Sequence, residues 1–315
     1  MYSSLGLIKN SRRSGQLVGT HQKLDKAARK LVGKMISKKD YFPPEADILY
    51  FEGSNGPDGI KRKSPGVDEP WHFIMPSKDD GKLIKCILDH QYNLNRALER
   101  QDAVRAAFEA AWMAHAMADG LTPAHHYPYE KVVNELMSDK DYKKLFGAEI
   151  KGIMRGNNLP QAIRNNWLYW GAGGVMTKHI AFEYGIAYTV ATLPLKTIMP
   201  KLSKAEIENI DLEKEFYKTL EKIHTLRMYE RFLQSGWTTE LVIETRQVLV
   251  PEIIRITALA WISAIPKEEK KKKQTKKPSP KVDSKPNPKV VQEKATKVDQ
   301  KPAKDAQKKK GKGKK

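Results

Sequence analysis

The chain has 315 residues and a formal net charge of +20, a length that holds one large domain or two small ones. Residues 267–315 carry twenty lysines against six acids, so the strong basicity describes that end and says little about the rest. The single cysteine, Cys86, excludes an intramolecular disulfide and leaves His, Asp and Glu to hold any metal.

In chain order, residues 1–16 read as a flexible segment without the continuous apolar core of a secretory signal. With one free thiol, this sets the expectation of a cytoplasmic rather than a secreted protein. Residues 17–37 read as a helix, with Leu24, Ala27, Ala28, Leu31 and Val32 at helical spacing. Residues 41–80 are rich in Pro, Gly and Asp and read as a long irregular segment, a place where a packed scaffold often aims functional side chains. Residues 81–100 turn helical again. The strongest helix covers about 97–119, rich in Ala, Glu and Arg, and Gly120 with Pro123 ends it. A further helix spans Thr177 to Tyr188, introduced by Gly171-Ala172-Gly173-Gly174. Ser203 and Glu206 form a capping-box pattern for a helix through the 210s. Helical periodicity then extends to about 235 and from 238 to 264. The apolar stretch from Val248 to Ile265 contains Pro251, Glu252 and Arg255, which argues for a core helix and against a membrane span.

Strand signals are few and no internal repeat is visible. The fold class is therefore mostly α: residues 17–266 form a multi-helix bundle with long irregular loops, followed by a tail. The tail, 267–315, has no aromatic residue and no Leu, Ile or Met. It buries too little to offset chain entropy and is expected to be disordered. It reads either as a solubilising segment or as an electrostatic tether to nucleic acid or an anionic membrane surface.

The histidines carry the chemistry. His115 and Asp119 are one helical turn apart and share a face; His125 follows past the Gly/Pro break, giving H-x3-D-x5-H. His179 and Glu183 repeat the one-turn spacing. Asp58 lies in the turn Asn55-Gly56-Pro57-Asp58-Gly59, and His72 follows in Trp71-His72-Phe73. Zinc binds imidazole nitrogen and carboxylate oxygen, and a carboxylate between two metals holds them close enough for phosphoryl chemistry. Any one pair alone reads as ordinary helix packing, and Asp58 alone as a turn residue. All of them together point to a metal centre.

The segments DGIKRKSPGVDEPWHF, AHAMADGLTPAHH and KHIAFE resemble the zinc-dependent phospholipase C superfamily, which includes single-strand-specific nucleases. The likeness spans roughly residues 17–190. It implies that Asp58, His72, His115 and Asp119 hold one zinc, with Asp58 also serving as general base, and that His125, His179 and Glu183 hold a second. In that family the bridging Asp, a His of the first helix and a processed N-terminal Trp bind a third. This chain offers His21 on its first helix but no Trp near its start, which leaves His21 as a ligand of an incomplete third site or an ordinary helix residue. The implied activity is zinc-dependent hydrolysis of a phosphate ester, the substrate a phospholipid or a nucleic acid. The alternative is a non-catalytic, metal-stabilised binding protein whose basic tail recruits an acidic partner.

Outside these motifs, His90 reads as helix surface or as a neighbour of the ligands, His126 as a residue orienting His125, and His224 as structural. Trp167, Tyr169 and Trp170 read as core. Lys61, Arg62 and Lys63 read as a solvated run or a phosphate contact.

Overall fold

The computed structural model describes residues 19–36, 41–53, 55–58, 74–78, 81–128, 156 and 158–266. Among these residues every regular element is helical, as expected. The expected tail and the flexible N-terminal segment lie outside the described residues.

Helix α1, Thr20–Val32, buries Leu24, Ala27, Ala28, Leu31 and Val32. Helix α2, Glu45–Glu52, lies inside the stretch read as irregular. Pro43 and Pro44 stop the chain from being helical before it, and Glu45 and Asp47 in its first turn suit the positive end of the helix dipole. Helices α3, Lys82–Glu99, and α4, Ala103–Gly120, replace the single boundary expected near residue 97. The break between them is made by Gln101, at a left-handed φ of 57°, and by Asp102, whose side chain accepts a hydrogen bond from the backbone N–H of Arg105.

Helix α5, Leu159–Trp170, starts at Asn158, whose side chain caps Gln161. Helix α6, Val175–Ala191, follows the Gly-rich turn. The capping box at Ser203 and Glu206 initiates only the short α7, Lys204–Glu208; the helix of the 210s is α8, Leu212–His224, with its own cap at Asp211. Then come α9, Met228–Ser235, and α10, Thr239–Glu244. A π-turn over Thr245–Leu249 leads into α11, Val250–Ser263, with Pro251 in its first turn, where a missing N–H costs least.

Helix α4 is central, and alanine makes up seven of its thirteen buried residues. Ala106, Ala107, Ala110, Ala111, Ala114, Ala116 and Ala118 are buried, and such short side chains let α2, α3 and α11 approach closely. Trp261 of α11 is fully buried and donates from Nε1 to the carbonyl of Ala110 at 3.0 Å. Gly185 serves the same purpose on α6: a Cβ there would meet the Trp237 ring at 2.6 Å.

Arg255 ties α11 to α7 and α8. It bonds Glu215 at 2.9 Å, Glu206 at 3.0 Å and Glu252 at 2.8 Å, and the Thr219 hydroxyl at 2.8 Å. Because the carboxylates keep partial contact with water, the network is worth less than a fully buried one. Arg255→Leu is expected to lower stability by about 1–3 kcal/mol. An unchanged denaturation midpoint would mean that these bonds merely replace hydration.

Candidate metal centre

Four elements converge on one buried polar cluster. Helix α4 presents His115 and Asp119 from one face, α1 presents His21, α2 presents Glu52 at its last residue, and the turn at Asn55–Asp58 presents Asp58. Two contacts set these elements in place. Gln22 of α1 donates from Nε2 to the carbonyl of Leu49 at 2.8 Å, which locks α1 to α2. Lys23 donates from Nζ to the carbonyls of Val190 and Ala191 at 2.6 and 2.9 Å, placing a cation on the negative end of α6.

Within the cluster, Asp119 faces two histidines at once. Its Oδ1 is 3.1 Å from His21 Nε2 and its Oδ2 is 3.2 Å from His115 Nε2. Asp58 Oδ1 lies 3.9 Å from His115 Nε2. On the opposite edge of the rings, Glu52 Oε1 is 2.8 Å from His115 Nδ1 and 3.8 Å from His21 Nδ1. The two imidazoles stack with centroids 4.2 Å apart and planes 15° apart.

The second cluster lies where the short turn Pro123–His126 meets α6. His125 Nε2 and His179 Nε2 converge on one oxygen, Glu183 Oε1, at 2.9 and 3.1 Å. Their rings are nearly parallel, 9° apart, with centroids at 5.1 Å. The backbone N–H of Ile74 donates to the carbonyl of His125 at 3.2 Å, and His126 donates from Nε2 to the carbonyl of Gly120 at 2.9 Å. His126 therefore fastens the turn to the end of α4 rather than bonding His125. Burial pushes its imidazole down to about 4, so it is neutral at neutral pH.

These side chains are almost fully excluded from water: His21, Glu52, His115, Asp119, His125, His179 and Glu183 are all 0–7 % exposed. Asp58 keeps more contact with solvent, its side chain being 17 % exposed. Burial opposes charge on Asp119, yet the imidazoles of His115, His125 and His21 are among the groups that hold its carboxyl well below the usual carboxylate range. Burial likewise opposes charge on Glu183, and His179 and His125 are among the groups that hold it well below that range. Burial also disfavours an imidazolium at His115, but Glu52 and Asp119 together raise it well above its ordinary value. Asp25, one turn after His21, is pushed up by burial and by Glu52.

The donor set fits a metal. A neutral imidazole donates from one nitrogen only. With the His115 Nδ1–H given to Glu52, its Nε2 lone pair faces an oxygen lone pair of Asp119, and the pair requires a positive charge between them. A proton on Nε2 supplies it, and so does a metal, which must displace that proton. Two ligands at zinc distances on a tetrahedron are roughly 3.3 Å apart, close to the N···O separations around both Asp119 and Glu183. Among the described residues, two groups of buried ligand atoms are close enough to hold a metal ion: His21, Glu52 and His115, and His125, His179 and Glu183. Glu52 Oε2 has no hydrogen-bond partner among the described residues, a further sign of an unmet electrostatic need.

Of the residues singled out in the sequence, His21, Asp58, His115 and Asp119 come together, and so do His125, His179 and Glu183. His72 lies outside the described residues, as do Lys61, Arg62 and Lys63. His90 belongs to neither group: its Nδ1 is 2.5 Å from the fully buried Glu109. Burial opposes its charge, but the bonds to Cys86 and Glu109 push its imidazole up to about 9. His224 packs its ring 5.6 Å from that of His126. Of the aromatic trio read as core, only Tyr169 is buried; Trp167 and Trp170 are 68 % and 41 % exposed. Glu52 is the cluster residue to which no sequence motif points.

No protein-family model, no curated protein and no solved structure matches this chain.

Proposed function

We propose that the chain is a zinc-dependent hydrolase of phosphate esters, of the phospholipase C-like or nuclease-like kind. The observation that carries the reading is the bidentate position of Asp119, one oxygen on His21 and the other on His115, beside a separate His125–His179–Glu183 triad. That arrangement supports part of the ligand set implied by the resemblance: Asp58, His115 and Asp119 for one metal, His125, His179 and Glu183 for another, and His21 with Asp119 for a third; His72, the remaining ligand of the first, lies outside the described residues.

Bound zinc would supply Lewis acidity toward a phosphoryl oxygen and toward water. The chain's own groups do the rest. Glu52 holds the Nδ1 side of His115 and turns its Nε2 toward Asp119. Asp119 offsets positive charge where no water can. Asp58 is the cluster carboxylate with the most solvent contact. Burial works against its ionisation, but His115 and His21 are among the groups that hold it below the usual carboxylate range, so it is an anion at the edge of the site, where the resemblance places a general base.

The test is hydrolysis of a chromogenic p-nitrophenyl phosphodiester by the full chain, before chelation, after chelation and after zinc is returned. Turnover that disappears and comes back is expected. A structural role for the metal is the second reading, favoured by the near-complete burial of the ligand side chains. A zinc-loaded, folded and inert protein would decide for it and against hydrolysis.

A further inference from the structure

Helix α5 is amphipathic in the wrong direction. The residues it buries are Asn165 and Tyr169. Its solvent side carries Leu159, Ile163, Trp167 and Trp170, which are 73 %, 62 %, 68 % and 41 % exposed. The spacing of four, four and three residues sets them in one stripe along the helix. A stable helix in a water-soluble bundle normally turns such a stripe inward, and a contiguous exposed one marks an interaction surface.

The charge around the stripe points to the occupant. From Leu159 to Ala191 the only acid is Glu183, and that side chain is buried. Arg164 on α5 and Lys178 on α6 are exposed, so this stretch offers cations and no exposed anion. The neighbouring α6 also exposes Tyr184 and Tyr188, at 50 % and 60 %. Tryptophan and tyrosine are amphipathic and, with Arg164 and Lys178 exposed on the same two helices, suit the headgroup level of a bilayer. Leu159 and Ile163 decide between a lipid and a single-stranded nucleic acid: neither has a π face, so base stacking would leave half the stripe unused.

We infer that the α5 stripe is a membrane-docking face that inserts Leu159, Ile163, Trp167 and Trp170 into a lipid surface bearing anionic headgroups, with Arg164 and Lys178 against the phosphates. This goes beyond the hydrolase reading and does not depend on it, because it concerns binding and not turnover. The net positive charge of residues 267–315 would add a purely electrostatic attraction to anionic vesicles, so salt separates the two contributions.

The experiment is sedimentation of the full chain with phosphatidylcholine/phosphatidylserine vesicles at about 0.1 M and about 0.5 M salt, where the higher salt shortens the Debye length and suppresses the charge term. The parent is compared with I163Q/W167Q. Both positions are exposed, so melting temperature and metal content should not change. The parent should remain vesicle-bound at the higher salt, and the double variant should partition at least roughly tenfold less. Tryptophan emission of the bound parent should be quenched by brominated acyl chains.

Equal partitioning of parent and variant would overturn the inference. So would a variant that keeps vesicle binding but loses an oligonucleotide, or one that loses only self-association. If the double variant melts early, quenching in the parent decides: vesicle-bound protein with unquenched tryptophan contradicts insertion.

Discussion

Asp119→Asn is expected to lose metal and hydrolytic activity together, each by about 100-fold or more, since even groups that merely orient a ligand account for 10–100-fold. The substitution keeps the size of the side chain and removes its charge. Asp119 is buried and answers His21 with one oxygen and His115 with the other. An amide would aim an N–H₂ at one of those two ring nitrogens and leave the site one negative charge short, where water cannot compensate. Glu183→Gln should fall between this variant and the parent, because it weakens only the group made with His125 and His179. His224→Gln should leave zinc content and rate unchanged, since His224 packs on His126 rather than on any ligand candidate. Zinc content and hydrolysis rate, measured on the three variants beside the parent, check this. Full occupancy and full rate in Asp119→Asn would return the His115–Asp119 pair to ordinary helix packing.

Why that pair is legible in the sequence, and Glu52 is not, has a physical answer. His115 with Asp119, and His179 with Glu183, are each one turn apart on strong helices, so local geometry alone puts their side chains on a common face. His21 is legible only through the resemblance, which leaves it as a ligand or an ordinary helix residue; the structure places it beside Asp119. Glu52 ends an eight-residue helix in a Pro- and Gly-rich stretch, too short for periodicity to reveal. What makes it important is tertiary: the Gln22–Leu49 bond and the packing of α2 on α4 bring it to His115.

The other departures have the same character. Local propensity runs the strong helix through residues 97–102, and the Asp102 cap with the left-handed Gln101 breaks it. Residue type alone assigns Trp167 and Trp170 to the core. Their exposure follows from which face of α5 meets the bundle, and composition carries no record of that.

Glu52 gives the second large effect. It can orient the Nδ1 side of His115 while metal binds the Nε2 side with Asp119, or it can itself ligate a metal together with His21 and His115. The Asp119 separations of 3.1 and 3.2 Å lie closer to the roughly 3.3 Å between two ligands of one zinc than the 2.8 and 3.8 Å on the Glu52 side, so Glu52 is assigned the orienting role. Glu52→Gln keeps an oxygen able to accept from Nδ1–H and should weaken zinc affinity by only about 10-fold, whereas Glu52→Ala removes the acceptor altogether and should weaken it by about 100-fold. Competition with a fluorescent chelator at neutral pH measures both. Complete loss of one zinc per chain in Glu52→Gln, at saturating zinc, would instead make Glu52 a direct ligand.

The most direct test of the metal-centre account is elemental analysis of the full chain after exhaustive dialysis against metal-free buffer. The account predicts at least two zinc ions per chain, one at Asp119 with His21 and His115 and one at Glu183 with His125 and His179. Less than one metal ion of any kind per chain would contradict it, and would mean that protons alone hold the two histidine–carboxylate clusters together.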